Sequence, residues 1–169
     1  MYIQYDKTLA EFKPEKYFEG ERMLLRELIS RKFELQAVKT DEYFITNKSM
    51  QTIIPTSNFN INYLLACINS KLVSWYFLNI SQIAQRDDFP KIVLRETRSL
   101  PIFPIDFEDS NQLSYYNQIN EIVENIYLTE NTNSGRSIND KLDKQLDDLI
   151  YQLYNLTEEE ITIVENHSK

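Results

Sequence analysis

The chain has 169 residues, with 26 acidic and 18 basic side chains, 2 Gly, 1 Cys and 1 His. That length suits one domain with a real core, while Gly20 and Gly135 stand too far apart to build a Gly-rich phosphate loop. One Cys and one His cannot assemble a structural zinc site, and His167, third from the C-terminus, offers no fixed scaffold for a triad. The net charge of −8 is unevenly placed: residues 1–105 hold 14 basic and 12 acidic groups (+2), whereas residues 106–169 hold 4 and 14 (−10). Such asymmetry suits either two jobs in one chain or a solvated helical face over the acidic half. Cys67 has no disulfide partner, no apolar h-region follows Met1, and no run of about 18 apolar residues occurs, so the reading is a cytoplasmic chain with no membrane span.

In chain order, residues 17–54 read as several short strands. Arg22 to Leu28 has an apolar centre with basic flanks, although Met23 to Arg31 could equally start as helix. Phe33 to Val38 alternates, Asp41-Glu42 turns the chain, Tyr43-Phe44-Ile45 is apolar, and Gln51 to Ile54 ends at Pro55, which cannot continue a ladder. A helix follows over 60–79, capped by Asn60 or Asn62, with Ile61, Leu64, Leu65, Ile68, Leu72, Trp75 and Tyr76 on one stripe. Residues 89–105 read as extended, punctuated by Pro101 and Pro104. A second helix spans 112–128, with Ile119, Ile122, Val123 and Ile126 inward, and residues 130–137 form a polar linker. A third helix, with Ser137 as its cap, carries Ile138, Leu142, Leu146, Leu149, Ile150 and Leu153 on one face. Asn155 can end it in the left-handed conformation. Thr157 with Glu160 then forms a capping box for a terminal helix.

Chemistry is scarce. The five prolines are never adjacent, so the Pro-Pro-aromatic loop of DNA amino-methyltransferases is absent. Pro104-Ile105-Asp106-Phe107-Glu108-Asp109 lacks the Lys that a restriction-type metal site needs, and reads as a solvated turn. No catalytic or metal-ligating residue is assigned. Cys67, Trp75 and Tyr76 read as core, and His167 as tail. The more suggestive groups are Asn47, Lys48 and Ser49 in one irregular segment, and Gln82, Gln85, Arg86 and Lys91 in another. Arg can bond guanine O6 and N7 with two donors, and Gln or Asn can match adenine N6 and N7. Lys and Ser suit phosphate oxygens.

Three blocks in order resemble the TaqI-like C-terminal specificity domain of type IIG restriction-modification enzymes and adenine-specific DNA methyltransferases. The first, Tyr17-Phe18-Glu19-Gly20-Glu21-Arg22-Met23-Leu24-Leu25-Arg26, is similar to the family's opening strand, with Arg22 where a Lys is common. The second runs Tyr63-Leu64-Leu65-Ala66-Cys67-Ile68-Asn69-Ser70-Lys71-Leu72, followed by Phe89-Pro90-Lys91-Ile92 and Leu100-Pro101-Ile102. The third, Leu149-Ile150-Tyr151-Gln152-Leu153-Tyr154-Asn155-Leu156-Thr157-Glu158-Glu159-Glu160-Ile161, has Asn155 in place of the usual Gly.

The resemblance implies a target recognition domain that chooses the double-stranded DNA sequence on which an N-terminal methyltransferase or nuclease domain acts. S-adenosylmethionine, and magnesium if the parent also cleaves, would belong to that parent. The family does not fix base-reading residues, and Asn69-Ser70-Lys71 is expected to serve the fold. The expected fold is α+β: a small, mostly antiparallel sheet from 17–54 and 89–105, a helix at 60–79 against it, and C-terminal helices. Residues 1–130 would form the recognition domain. Residues 131–169 would pack on it, on the catalytic domain, or on a second copy as a homodimer. Two other readings stand beside this one: a protein-interaction module that never touches DNA, and half of a type I specificity subunit, for which 169 residues are too few to hold both recognition domains.

Overall fold

The computed structural model describes residues 5–9, 12–29, 33–55, 60–81, 90–129 and 135–166. Its fold is α+β. A 3-10 turn at Glu15–Tyr17 precedes strand β1 (Arg22–Arg26), β2 (Ala37–Thr40) and β3 (Met50–Ile53). Helices α1 (Ile61–Asn69), α2 (Lys71–Ile80), α3 (Leu94–Thr97), α4 (Ser110–Thr129), α5 (Gly135–Leu153) and α6 (Glu158–Asn166) follow. The strand order is β2-β1-β3, and β1 pairs antiparallel with both neighbours, Leu24 lying opposite Val38 on one side and Thr52 on the other.

β1 is central and buried on both faces, which is why its sequence shows no clean alternation. Met23 and Leu25 enter the main core with Tyr63, Ile68 and Phe77. Arg22 and Leu24 point the opposite way. Because β2 and β3 both run against β1, residues 41–49 must cross from one edge of the sheet to the other. Arg22 is fully buried beneath this crossing. It donates from Nη1 to Gly20 O at 2.9 Å and from Nη2 to Glu42 O at 2.6 Å, with its guanidinium 5.0 Å from the Phe44 ring centre. Gly20, at φ +69°, supplies the left-handed turn that presents its carbonyl. Tyr43-Phe44-Ile45 therefore forms no ladder, contrary to its apolar appearance. It belongs to the crossing, and all three side chains are exposed.

The edge of β2 is closed by side chains. Ala37 N–H donates to Asn69 Oδ1 at 2.7 Å, Asn69 Nδ2 donates back to Ala37 O at 2.9 Å, and Lys39 N–H donates to Tyr127 Oη at 2.9 Å. These bonds occupy backbone groups that an edge strand would otherwise offer to another strand.

The helix expected over 60–79 is two helices. Asn60 caps α1 by accepting from Asn62 N–H at 2.8 Å. Ser70 then adopts an extended ψ of 150°, ends α1 and caps α2, its Oγ donating to Cys67 O at 2.7 Å and accepting from Val73 N–H at 3.2 Å. A serine that satisfies orphan groups of both helices outweighs an unbroken apolar stripe. Asn69 and Ser70 thus serve the fold, as anticipated. Residues 89–105 also depart from the extended expectation: among those described, α3 makes one helical turn after a single bridge between Leu28 and Lys91.

α4 buries Ile119 and Val123, with Ile122 and Ile126 half-buried, and α5 packs against α4 and α2 through Leu146, Ile150 and Leu153. α5 begins at Gly135, so Ser137 lies inside the helix rather than at its cap. Asn155 does end it, at φ 54°, with Asn155 N–H donating to Gln152 O and Leu156 N–H to Tyr151 O, both at 3.0 Å. The Thr157–Glu160 box opens α6 as read, through bonds of 2.8 and 3.3 Å.

Candidate nucleic-acid interface

The basic side chains divide by what surrounds them. The ion pairs of Lys39 and Lys71 run from the strand-bearing part to the C-terminal helices. Lys39 of β2 lies 2.7 Å from Glu124 of α4, donates to Asn62 Oδ1 at 2.8 Å, and sits 4.6 Å from the Tyr127 ring centre. Lys71 of α2 lies 2.6 Å from Glu165 of α6 and 3.8 Å from Asp147 of α5. Asp147 Oδ1 also accepts the Lys71 N–H at 3.0 Å, capping α2 from another helix.

Burial sets the electrostatics of that junction. It pushes the Asp147 carboxyl up to about 6, the nearby Glu165 and Asp143 adding to it, against the lowering that the Lys71 N–H and the Lys71 charge supply. Burial also raises Glu165, but hydrogen bonds from Lys71 and Tyr151 outweigh it and hold that group below its usual range. A hydrogen bond from Lys39 lowers Glu124. Cys67, wholly buried, is pushed up to about 12, which suits a core thiol and not a nucleophile.

The opposite rim differs. Glu27, next along from β1, donates its N–H to Ser49 O and accepts from Ile92 N–H, each at 2.9 Å. Residues 47–49 and 90–92 therefore meet on one residue, and two separate stretches of candidate side chains become neighbours. Asn47 Oδ1 accepts from Ser49 N–H at 2.9 Å and from Ser49 Oγ at 2.5 Å, so these two shape the turn that carries exposed Lys48. Lys91 is exposed beside the bridge to Leu28. Gln82, Gln85 and Arg86 lie outside the described residues.

Two cations that periodicity passed over join this rim. Gln51, buried in β3, donates from Nε2 to Ile92 O at 2.9 Å and accepts from Thr97 Oγ1 at 2.7 Å. Glu96 accepts from Ser81 Oγ at 2.5 Å and Val93 N–H at 3.0 Å. With positions 96 and 97 turned inward, Arg95 and Arg98 are exposed. Arg95 also lines a surface cavity of about 340 Å³ with Tyr76, Ile80 and Ser99. Val93 has no side-chain oxygen with which to cap α3, so Glu96 reaching back to Val93 N–H is the local signal of this turn. Among the described residues Lys48, Lys91, Arg95 and Arg98 form no ion pair, and the single acid of residues 47–49 and 90–99 is Glu96.

Comparison with known proteins gives this rim its context. The TaqI-like C-terminal specificity domain family matches residues 1–102. The chain belongs to that family. A protein of Methanocaldococcus jannaschii assigned as a type II restriction enzyme and methyltransferase is 26% identical over 140 residues, 82% of this chain. The chain spans 11% of that protein's length. Helices α4 to α6 of this TaqI-like specificity domain fall beyond the family match and supply the carboxylates that hold Lys39 and Lys71. No described helix is long and apolar enough to cross a membrane.

Proposed function

We propose that this chain is the DNA target recognition domain of a restriction-modification enzyme of type IIG-like, adenine-specific character, acting in the cytoplasm. The observation that carries this reading is the membership of a specificity-domain family, joined to a rim where Lys48 and Lys91 stand exposed without carboxylate partners among the described residues. Lys48 and Lys91 contact phosphates, while Asn47 and Ser49 hold the loop that carries Lys48. Gln82, Gln85 and Arg86 read base edges, an assignment resting on side-chain chemistry alone. Bond-making belongs to a partner domain, which would bind S-adenosylmethionine and, if it cleaves, magnesium. The C-terminal helices keep their acidic surface away from the duplex, which reconciles a net charge of −8 with DNA binding.

The chain alone is expected to bind duplex weakly and with strong salt dependence, since few cations release few counterions. The decisive experiment joins it to its methyltransferase and maps the methylated sites. Gln85→Ala with Arg86→Ala should change site choice and leave binding of the methyl donor intact. An unchanged methylation pattern removes that segment from the reading. Salt-independent capture of a protein, with no duplex retardation at low salt, would favour an interaction module instead.

A further inference from the structure

Arg95 and Arg98 sit on a turn whose orientation is fixed from two sides. Gln51 of β3 binds both Ile92 O and Thr97 Oγ1, and Ser81 after α2 binds Glu96. Residues three apart on a helical turn share a face, and here the inner face is taken by Glu96 and Thr97. Leu94, Arg95, Arg98 and Ser99 are left outward and exposed. The one acid of the turn directs both carboxylate oxygens to Ser81 Oγ and Val93 N–H, so its charge is turned inward while the two guanidinium groups are exposed. Guanidinium groups present fixed forks of donors that match phosphate oxygens, and the bonds from Gln51 and Ser81 set the direction in which α3 presents them.

We propose that Arg95 and Arg98 form a phosphate clamp, docking consecutive phosphodiesters of one strand of duplex DNA and setting the register in which base-reading side chains meet the groove. This deepens the recognition reading and rests on it. Docking through phosphates carries no sequence information, so the clamp contributes affinity and salt dependence equally for every sequence.

The test measures binding of the full chain to two duplexes of unrelated sequence across a salt series, by fluorescence anisotropy. Arg95→Ala with Arg98→Ala should lower affinity about tenfold at low salt and reduce the salt slope by about 1.8, the value for two phosphate contacts, equally for both duplexes. Arg95→Lys with Arg98→Lys should keep the slope. Lys144→Ala, which removes a positive charge among the acids of α5, should change neither quantity. Arg95→Gln with Arg98→Gln serves as the second neutral pair, and thermal melting identical to the parent establishes that each variant folds. A parent that binds while the neutral variants keep its slope overturns the clamp and leaves the recognition reading standing. Loss confined to one duplex would make the pair base readers and also overturns it. A parent that binds neither duplex at the lowest salt removes both ideas.

Discussion

The two sides of the sheet treat positive charge in opposite ways. On the β2 side, Lys39 and Lys71 are drawn into contact with Glu124, Asp147 and Glu165, and even the edge amides are capped by Asn69 and Tyr127. On the β3 side, Gln51 and Glu96 spend their hydrogen bonds fixing backbone, and the cations beside them stay in water. The lesson is that basic residues in an acidic chain are sorted by their neighbours and not by their number. Lys39 and Lys71 hold architecture; Lys48, Lys91, Arg95 and Arg98 are available to a polyanion.

The largest expected effect tests whether the helix side is structural. Ile150 is fully buried at the α5 contact, so Ile150→Ala should cost about 3 kcal/mol in denaturant unfolding, while the folded fraction binds duplex as the parent does. A drop in intrinsic affinity would blur the contrast.

A comparable effect comes from pH. The Asp147 carboxyl, raised to about 6 from 3.8, contributes stability that is complete below about pH 4 and is lost as pH rises through 6. Asp147→Asn keeps the oxygen that caps Lys71 N–H and removes the buried charge. It should therefore gain stability relative to the parent between pH 4 and 6, by an amount on the order of 2 kcal/mol, discounted by the lost Lys71 attraction. Glu165 and Glu124, both lowered, pull the other way: they stabilise above their ordinary range and lose that contribution as pH falls. Melting curves of the parent and Asp147→Asn across this range separate the two slopes, and a flat difference sinks the assignment.

Smaller again is Ser70→Ala, which removes the double cap between α1 and α2 and should cost about 1 kcal/mol. At the bottom of the scale, Lys91→Ala should change stability by less than about 0.5 kcal/mol yet lower the salt slope of duplex binding by about 0.9. A large stability change there would mean that the rim cation is structural after all.

What the sequence shows plainly is what depends on near neighbours. Asn155 ending α5 and the Thr157–Glu160 box both follow from residues within a few positions of one another. So does the Asn60 cap. The break at Ser70 was hidden because an apolar stripe continues through it, and the crossing at 41–49 was hidden because Tyr43-Phe44-Ile45 has the composition of a strand. Arg22 looks like a flanking charge until residues 42 and 44 fold over it. Of the candidate site, Lys48 and Lys91 were legible as loop cations, but their meeting at Glu27 is a tertiary fact. Arg95 and Arg98 were missed because α3 is set by Gln51, more than forty positions earlier.

The shielding of β2 has a practical corollary. Tyr127, whose hydroxyl covers the Lys39 amide, lies beyond residue 102, where the family match stops. A shorter chain cut at that point would free the Lys39 amide, with Asn69 still on Ala37, and would shed the acidic helices as well. Light scattering of such a fragment should rise faster on storage than that of the full chain, because an edge amide without a partner can pair with another strand.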